Sequence, residues 1–201
     1  MDCIEFADKV VVGLQHLMSD LPDGFYGSFR FTQTGKNYTH PITLGFLARF
    51  LMTIPEVKQV GIDFRLNLGK KVKFQPDLAA LDARLDPVAF IDYESPNSSD
   101  SRLPEKDIDA YLAWQEKSGQ SVPYVIVTTL PNQAAPDWEL RYAAPGYYNE
   151  HFHGKEDVIR QNPYRFWYDG HFQKEFKKRE MKNIALVNID GRAVNRVHPK
   201  S

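Results

Sequence analysis

The chain has 201 residues, 42% of them hydrophobic and 13% aromatic, with 25 Lys/Arg against 26 Asp/Glu and one cysteine. That length suits a single domain with a sizeable core, and a formal charge of -1 argues against partners recruited by net charge alone. One cysteine rules out an internal disulfide, and the longest apolar run, residues 42–54, is broken by Gly45 and Arg49 before it reaches the length of a membrane span.

The start, MDCIEFADK, is acidic and lacks the basic opening of a signal peptide, so a cytoplasmic protein is expected. The near-neutral total hides an asymmetry: residues 154–201 hold 11 Lys/Arg against 6 Asp/Glu, whereas residues 1–153 hold 14 against 20. The basic cluster Lys174, Lys177, Lys178, Arg179 and Lys182 reads either as a solvated helix face or as a contact to a polyanion.

In chain order, Ala7, Val10, Val11, Leu14, Leu17 and Met18 recur at helical spacing and predict an amphipathic helix over residues 4–18. Two glycines and a proline make residues 20–27 a turn region. A second, largely buried helix is predicted over 41–54, with Pro41 at its first position and Pro55 closing it. Strands follow at 59–68, 72–81 and 89–94, the first two joined by a tight turn at 67–70. A polar loop, SPNSSDSRL, leads to a helix over 104–117 that ends near Gly119, and PYVIVTTL at 123–130 reads as a fully buried strand. Beyond Pro131 a strand at 138–143, a helix at 172–182 and a hairpin at 184–194 around Asp190-Gly191 are expected. Hairpin-linked strands followed by a helical crossover predict an α/β fold, a mixed central sheet flanked by helices.

Acids stand out on the central strands. Asp92 and Glu94 fall on one strand face by alternation, and Asp77 follows Pro76, which cannot donate to a ladder and so marks an irregularity that re-aims the next side chain. If the strands pair, three carboxylates converge, and like charges that close repel unless a cation lies between them. Oxygen ligands alone favour Mg²⁺ or Mn²⁺, which suits metal-assisted attack of water on a phosphodiester. The plainer alternative makes Asp77 a turn residue and Glu94 a solvent-facing strand end.

The order Pro76-Asp77, then Asp92-Tyr93-Glu94, then a helix with a lysine resembles the PD-(D/E)xK nuclease superfamily. Within it, Asp92, Ser95, Pro96, Lys106 and Tyr111 resemble a bacterial group of restriction-endonuclease-like proteins with acid-x-x-Ser-Pro, Lys and Tyr in those places. The resemblance covers residues 41–130, which it makes the nuclease-like core of a single domain, with 131–201 as an α+β extension. It implies a restriction-endonuclease-like fold, Asp77, Asp92 and Glu94 as catalytic metal ligands, a Mg²⁺ or Mn²⁺ cofactor, a nucleic-acid substrate (DNA first) and a homodimer as a candidate assembly. Lys174, Lys177, Lys178 and Arg179 are the phosphate contacts that would go with it. The usual lysine of acid-x-Lys is Glu94 here, so Lys106 is the candidate to supply that charge from the first turn of the next helix. An acid from the preceding helices, found in many relatives, is missing from 41–54, leaving Glu5, Asp8 or Glu56. The competing function is a nuclease-like fold that no longer cuts and binds nucleic acid or protein. His151, His153, Asn162 and His171 form a weaker, His-Asn-His-like set, without the hairpin and helix that such a site needs.

Overall fold

The computed structural model describes residues 1–21, 33–69, 72–94, 103–128, 181–190 and 193–199. Helix α1 (Cys3–Asp20) starts where Asp2 caps it, its side chain accepting a hydrogen bond from the Glu5 N–H at 2.8 Å. Its apolar stripe, Phe6, Ala7, Val10, Leu14, Leu17 and Met18, is buried. Cys3 is buried at its first turn, and burial pushes the thiol up to about 12, so it is an inert part of the core.

Helix α2 (Gln33–Leu51) begins eight residues before the expected start and carries Pro41 inside it. The ring forfeits one backbone N–H, but its fixed φ is itself helical, so the chain continues through it. Leu44, Leu47 and Leu51 bury the helix against the sheet, and α2 packs beside α1.

Among the described residues eight strands follow: β1 (Gln59–Ile62), β2 (Leu66–Leu68), β3 (Val72–Phe74), β4 (Leu78–Leu81), β5 (Pro87–Glu94), β6 (Tyr124–Thr128), β7 (Ile184–Asp190) and β8 (Ala193–His198). Helix α3 (Leu103–Ser118) joins β5 to β6. Six strands form one sheet in the order β1-β4-β5-β6-β7-β8, and β2 and β3 pair only with each other. β5, β6 and β7 are mutually parallel, and the remaining neighbours are antiparallel. The fold is therefore α/β with a mixed sheet, as its alternation of elements predicts.

Two of the expected strands are each broken in half. Asp63 adopts φ 49, and Pro76 removes a donor, so the halves nearest Gly69 leave the main sheet as the β2–β3 hairpin. The break is tied across by the Asp63 N–H donating to the Asp77 carbonyl at 2.9 Å and the Phe64 N–H donating to that of Pro76 at 3.2 Å.

The sheet separates two apolar layers. On one side α1 and α2 cover Leu78, Ala80, Ile91, Tyr93, Val125 and Val187. On the other, α3 and the β2–β3 hairpin cover Ala79, Phe90, Tyr124, Ile126 and Leu186. The sheet runs beyond residues 41–130, since β7 and β8 extend it and α1 packs on them. The expected strand at 138–143 and the 172–180 part of the expected helix lie outside the described residues; Met181 to Asn183 is a turn leading into β7. No described helix is long and apolar enough to cross a membrane.

Candidate functional site

The β4–β5 register pairs Leu78 with Ile91, and one step further along the antiparallel pair Asp77 comes opposite Asp92. The two acids interlock. The Asp77 N–H donates to Asp92 Oδ1 at 2.6 Å, and the Tyr93 N–H donates to Asp77 Oδ2 at 2.8 Å. Each carboxylate thus accepts a backbone N–H from the other strand, where a regular ladder would place carbonyls. Asp77 lies in the break between β3 and β4, directly after Pro76.

Asp92 is 5% exposed and lies on the face that packs against α3. The Tyr124 hydroxyl donates to its Oδ2, so both of its oxygens are engaged. Tyr124 is held in turn by the aromatic layer, its ring 4.9 Å from that of Tyr111 and 5.6 Å from that of Phe74. Burial holds the Asp92 carboxyl well above the usual carboxylate range. The negative charges of Asp77 and Asp107 push it the same way, and the hydrogen bonds from Tyr124 and the Asp77 N–H oppose them.

The raised Asp92 has a sign that can be measured. Its folded state binds the proton more tightly than its unfolded state, so its contribution to stability falls as pH rises from the unfolded value near 3.8 towards the folded one. In chelator, wild-type stability should therefore decline across that window relative to Asp92→Asn, by at most about 1.4 kcal/mol per pH unit, the limit for one proton. Denaturant melts of both proteins from pH 4 to 8 check it; parallel curves would show that Asp92 is ionised in the fold.

Asp77 is more accessible, with 22% of its side chain exposed. His40, on α2, places Nε2 3.4 Å from Asp77 Oδ2 and lays its ring 5.7 Å from that of Tyr93. The group that reaches Asp77 from the N-terminal helices is thus a histidine, where an acid is expected from the resemblance. Two of the acids it considered are engaged elsewhere: Glu5 pairs with Lys9 at 2.9 Å, and Asp8 pairs with Arg196 at 2.7 Å. Glu56 is exposed near Lys9. The available signal was position, since His40 immediately precedes Pro41 on the helix that leads into the hairpin.

Glu94 ends β5, paired with Thr128 on β6, and its side chain lies outside the described residues. Thr128 is buried, and its Oγ1 has no hydrogen-bond partner among the described residues. Lys106 is exposed on the first turn of α3, next to the Asp107 whose charge reaches Asp92. Lys174, Lys177, Lys178 and Arg179 lie outside the described residues, as do the histidines of the His-Asn-His-like set. Among the described residues no group of three or more His, Cys, Asp or Glu side chains stands ready to hold a metal ion; the convergence goes as far as Asp77 with Asp92 and His40 beside Asp77. No family model, curated protein or solved structure matches the chain.

Proposed function

We propose that the chain is a metal-dependent nuclease with a restriction-endonuclease-like fold, hydrolysing phosphodiester bonds of nucleic acid, DNA in the first instance. The observation that carries the proposal is the Asp77–Asp92 interlock at the end of the β4–β5 pair. Each carboxylate accepts a backbone N–H from the other strand, and the Asp77 charge is one of the causes that raise the buried Asp92, a repulsion that a divalent cation would relieve. Support also comes from the order of elements: an acid at the start of β4, an acid on antiparallel β5, then α3 and parallel β6. That order is the one implied by the resemblance of Pro76-Asp77, Asp92-x-Glu94 and Lys106 to the PD-(D/E)xK superfamily.

Hard oxygen donors in this pair fit Mg²⁺ or Mn²⁺, which take one or two protein carboxylates and keep several waters. Such an ion would supply Lewis acidity and a bound water of lowered pKa. Asp77 and Asp92 would hold it, with Glu94 as the third carboxylate of the set. The backbone N–H groups of Asp77 and Tyr93 fix the two carboxylates before substrate arrives, so little reorganisation is needed. Lys106 would supply positive charge to the phosphate from the first turn of α3, and Lys174, Lys177, Lys178 and Arg179 are the proposed phosphate contacts.

Two observations favour a second reading, a nuclease-like module that binds without cutting. Both oxygens of Asp92 already accept hydrogen bonds, and a glutamate occupies the usual lysine position. Calorimetric titration tests the premise of the first. Mn²⁺ or Mg²⁺ should bind the wild-type chain with one-site stoichiometry and fail to bind Asp77→Ala. Equal binding to both proteins would remove Asp77 from the site.

A further inference from the structure

We infer that the β2–β3 hairpin is a duplex-gripping arm, whose outward face, Arg65, Lys73 and Gln75, enters the major groove of B-form DNA. The inference rests on the nucleic-acid reading above and deepens it by naming the form of the substrate and the element that holds it.

Charge sets the hairpin apart. Residues 64–75 carry four Lys/Arg and no Asp/Glu, in a chain whose formal charge is -1. Alternation along the two strands then sorts the residues by face. Leu66, Leu68 and Phe74 pack into the aromatic layer under α3, whereas Arg65, Lys73 and Gln75 are exposed. The register puts Leu66 opposite Phe74, so Arg65 comes opposite Gln75 one step on. There Arg65 Nε donates to Gln75 Oε1 at 3.2 Å. That bond steadies the guanidinium across the ribbon, and its terminal nitrogens match the paired acceptors O6 and N7 of a guanine edge.

Size selects the groove. Two paired strands lie about 4.7–4.9 Å apart. With its side chains such a ribbon fits a major groove about 12 Å wide and not a minor groove about 6 Å wide. The deep, narrow major groove of A-form RNA does not admit it. Because β2 and β3 pair only with each other, no third strand widens the ribbon among the described residues.

A gripping arm must also be held still, and this one is anchored at both ends. Near its tip Lys117 Nζ, on α3, donates to the Leu68 carbonyl at 2.6 Å. At its root the Asp63 and Phe64 N–H groups donate to the carbonyls of Asp77 and Pro76. Only Pro76 separates Gln75 from Asp77, so DNA on the arm is held beside the acid pair. Arg65 meets the base edge and Lys73 a flanking phosphate.

Fluorescence anisotropy of the full chain in chelator, where no bond is cut, tests the arm on a short labelled duplex of mixed sequence. A second duplex carries glucosylated 5-hydroxymethylcytosine, which fills the major groove and leaves the minor groove open. Wild type should bind the plain duplex about tenfold or more tightly than the glucosylated one. The double variant Arg65→Ala/Lys73→Ala, with its fold verified by circular dichroism, should bind the plain duplex about tenfold or more weakly than wild type. Its slope of log K against log salt should be shallower by about one, and glucosylation should cost it nothing further. Equal wild-type binding to both duplexes, or a double variant that binds as wild type does, overturns the inference and leaves the nuclease reading standing. So does a chain that binds single-stranded DNA or double-stranded RNA but not duplex DNA. A wild-type chain that binds no nucleic acid overturns the inference together with that reading.

Discussion

Asp77→Asn should cleave DNA about 10³-fold more slowly than wild type while folding as well or better. The amide keeps the shape of the carboxylate, so its oxygen can still accept the Tyr93 N–H, and the Asp77 N–H remains to meet Asp92 Oδ1. What disappears is the negative charge, and with it half of the pair that is proposed to hold the ion. Removing one electrostatic stabiliser from an active site typically costs about 10²–10³ in rate, and losing the ion that orients the water belongs at or above the upper end. Stability moves the other way, because the Asp77 charge is one of the causes that raise Asp92. In chelator the variant should match or exceed the wild-type melting temperature. With the ion at a hundredfold excess over its dissociation constant, wild type alone should gain about 2.7 kcal/mol. Single-turnover cleavage with melts in parallel separates this outcome from simple misfolding.

Phe74→Ala should be the most damaging change away from the site, at about 3–5 kcal/mol. Phe74 is 2% exposed and lies at the centre of the layer under α3, with ring centroids 5.1 Å from Phe90, 5.6 Å from Tyr111 and Tyr124, and 6.1 Å from Trp114. Four edge-on or tilted contacts are lost at once, and the void faces aromatic rings that cannot collapse into it. Phe74 also helps seat the β2–β3 hairpin, with Leu66 and Leu68 packed against the same layer and Lys117 Nζ donating to the Leu68 carbonyl at 2.6 Å. At about 2–4 °C per kcal/mol for a chain of this size, calorimetry should record a fall of roughly 10 °C. A fall under about 2 °C would show that the hairpin does not depend on this ring. Tyr124 is one of the rings that Phe74 supports and is also a donor to Asp92, so the same change should loosen the site.

What could be read in the sequence was what local pattern controls. The dense apolar run of β6, the acid alternation on β5 and the proline before Asp77 each act through a nearest-neighbour rule, and together they place Asp77 opposite Asp92. The break that separates β2 and β3 from the main sheet was not legible. It turns on a positive φ at Asp63, a residue type common in any loop, and on Pro76, where the sequence predicts an irregularity but not the end of one strand and the start of another. The first turns of α2 were hidden because QTGKNYTH has no apolar periodicity, and His40 was hidden with them. Tyr124 was missed for the opposite reason: inside PYVIVT it looks like one more apolar strand residue, and only the tertiary fold brings its hydroxyl to a carboxylate two positions along the neighbouring strand.

The most direct measurement is single-turnover cleavage of supercoiled plasmid by the wild-type chain, in Mn²⁺, in Mg²⁺ and in chelator. A metal-dependent nuclease nicks or linearises the plasmid with either ion and leaves it intact in chelator. Plasmid and single-stranded DNA that stay whole with both ions, under conditions where calorimetry shows the ion bound, would contradict the account and assign the interlocked carboxylates to a module that binds without cutting.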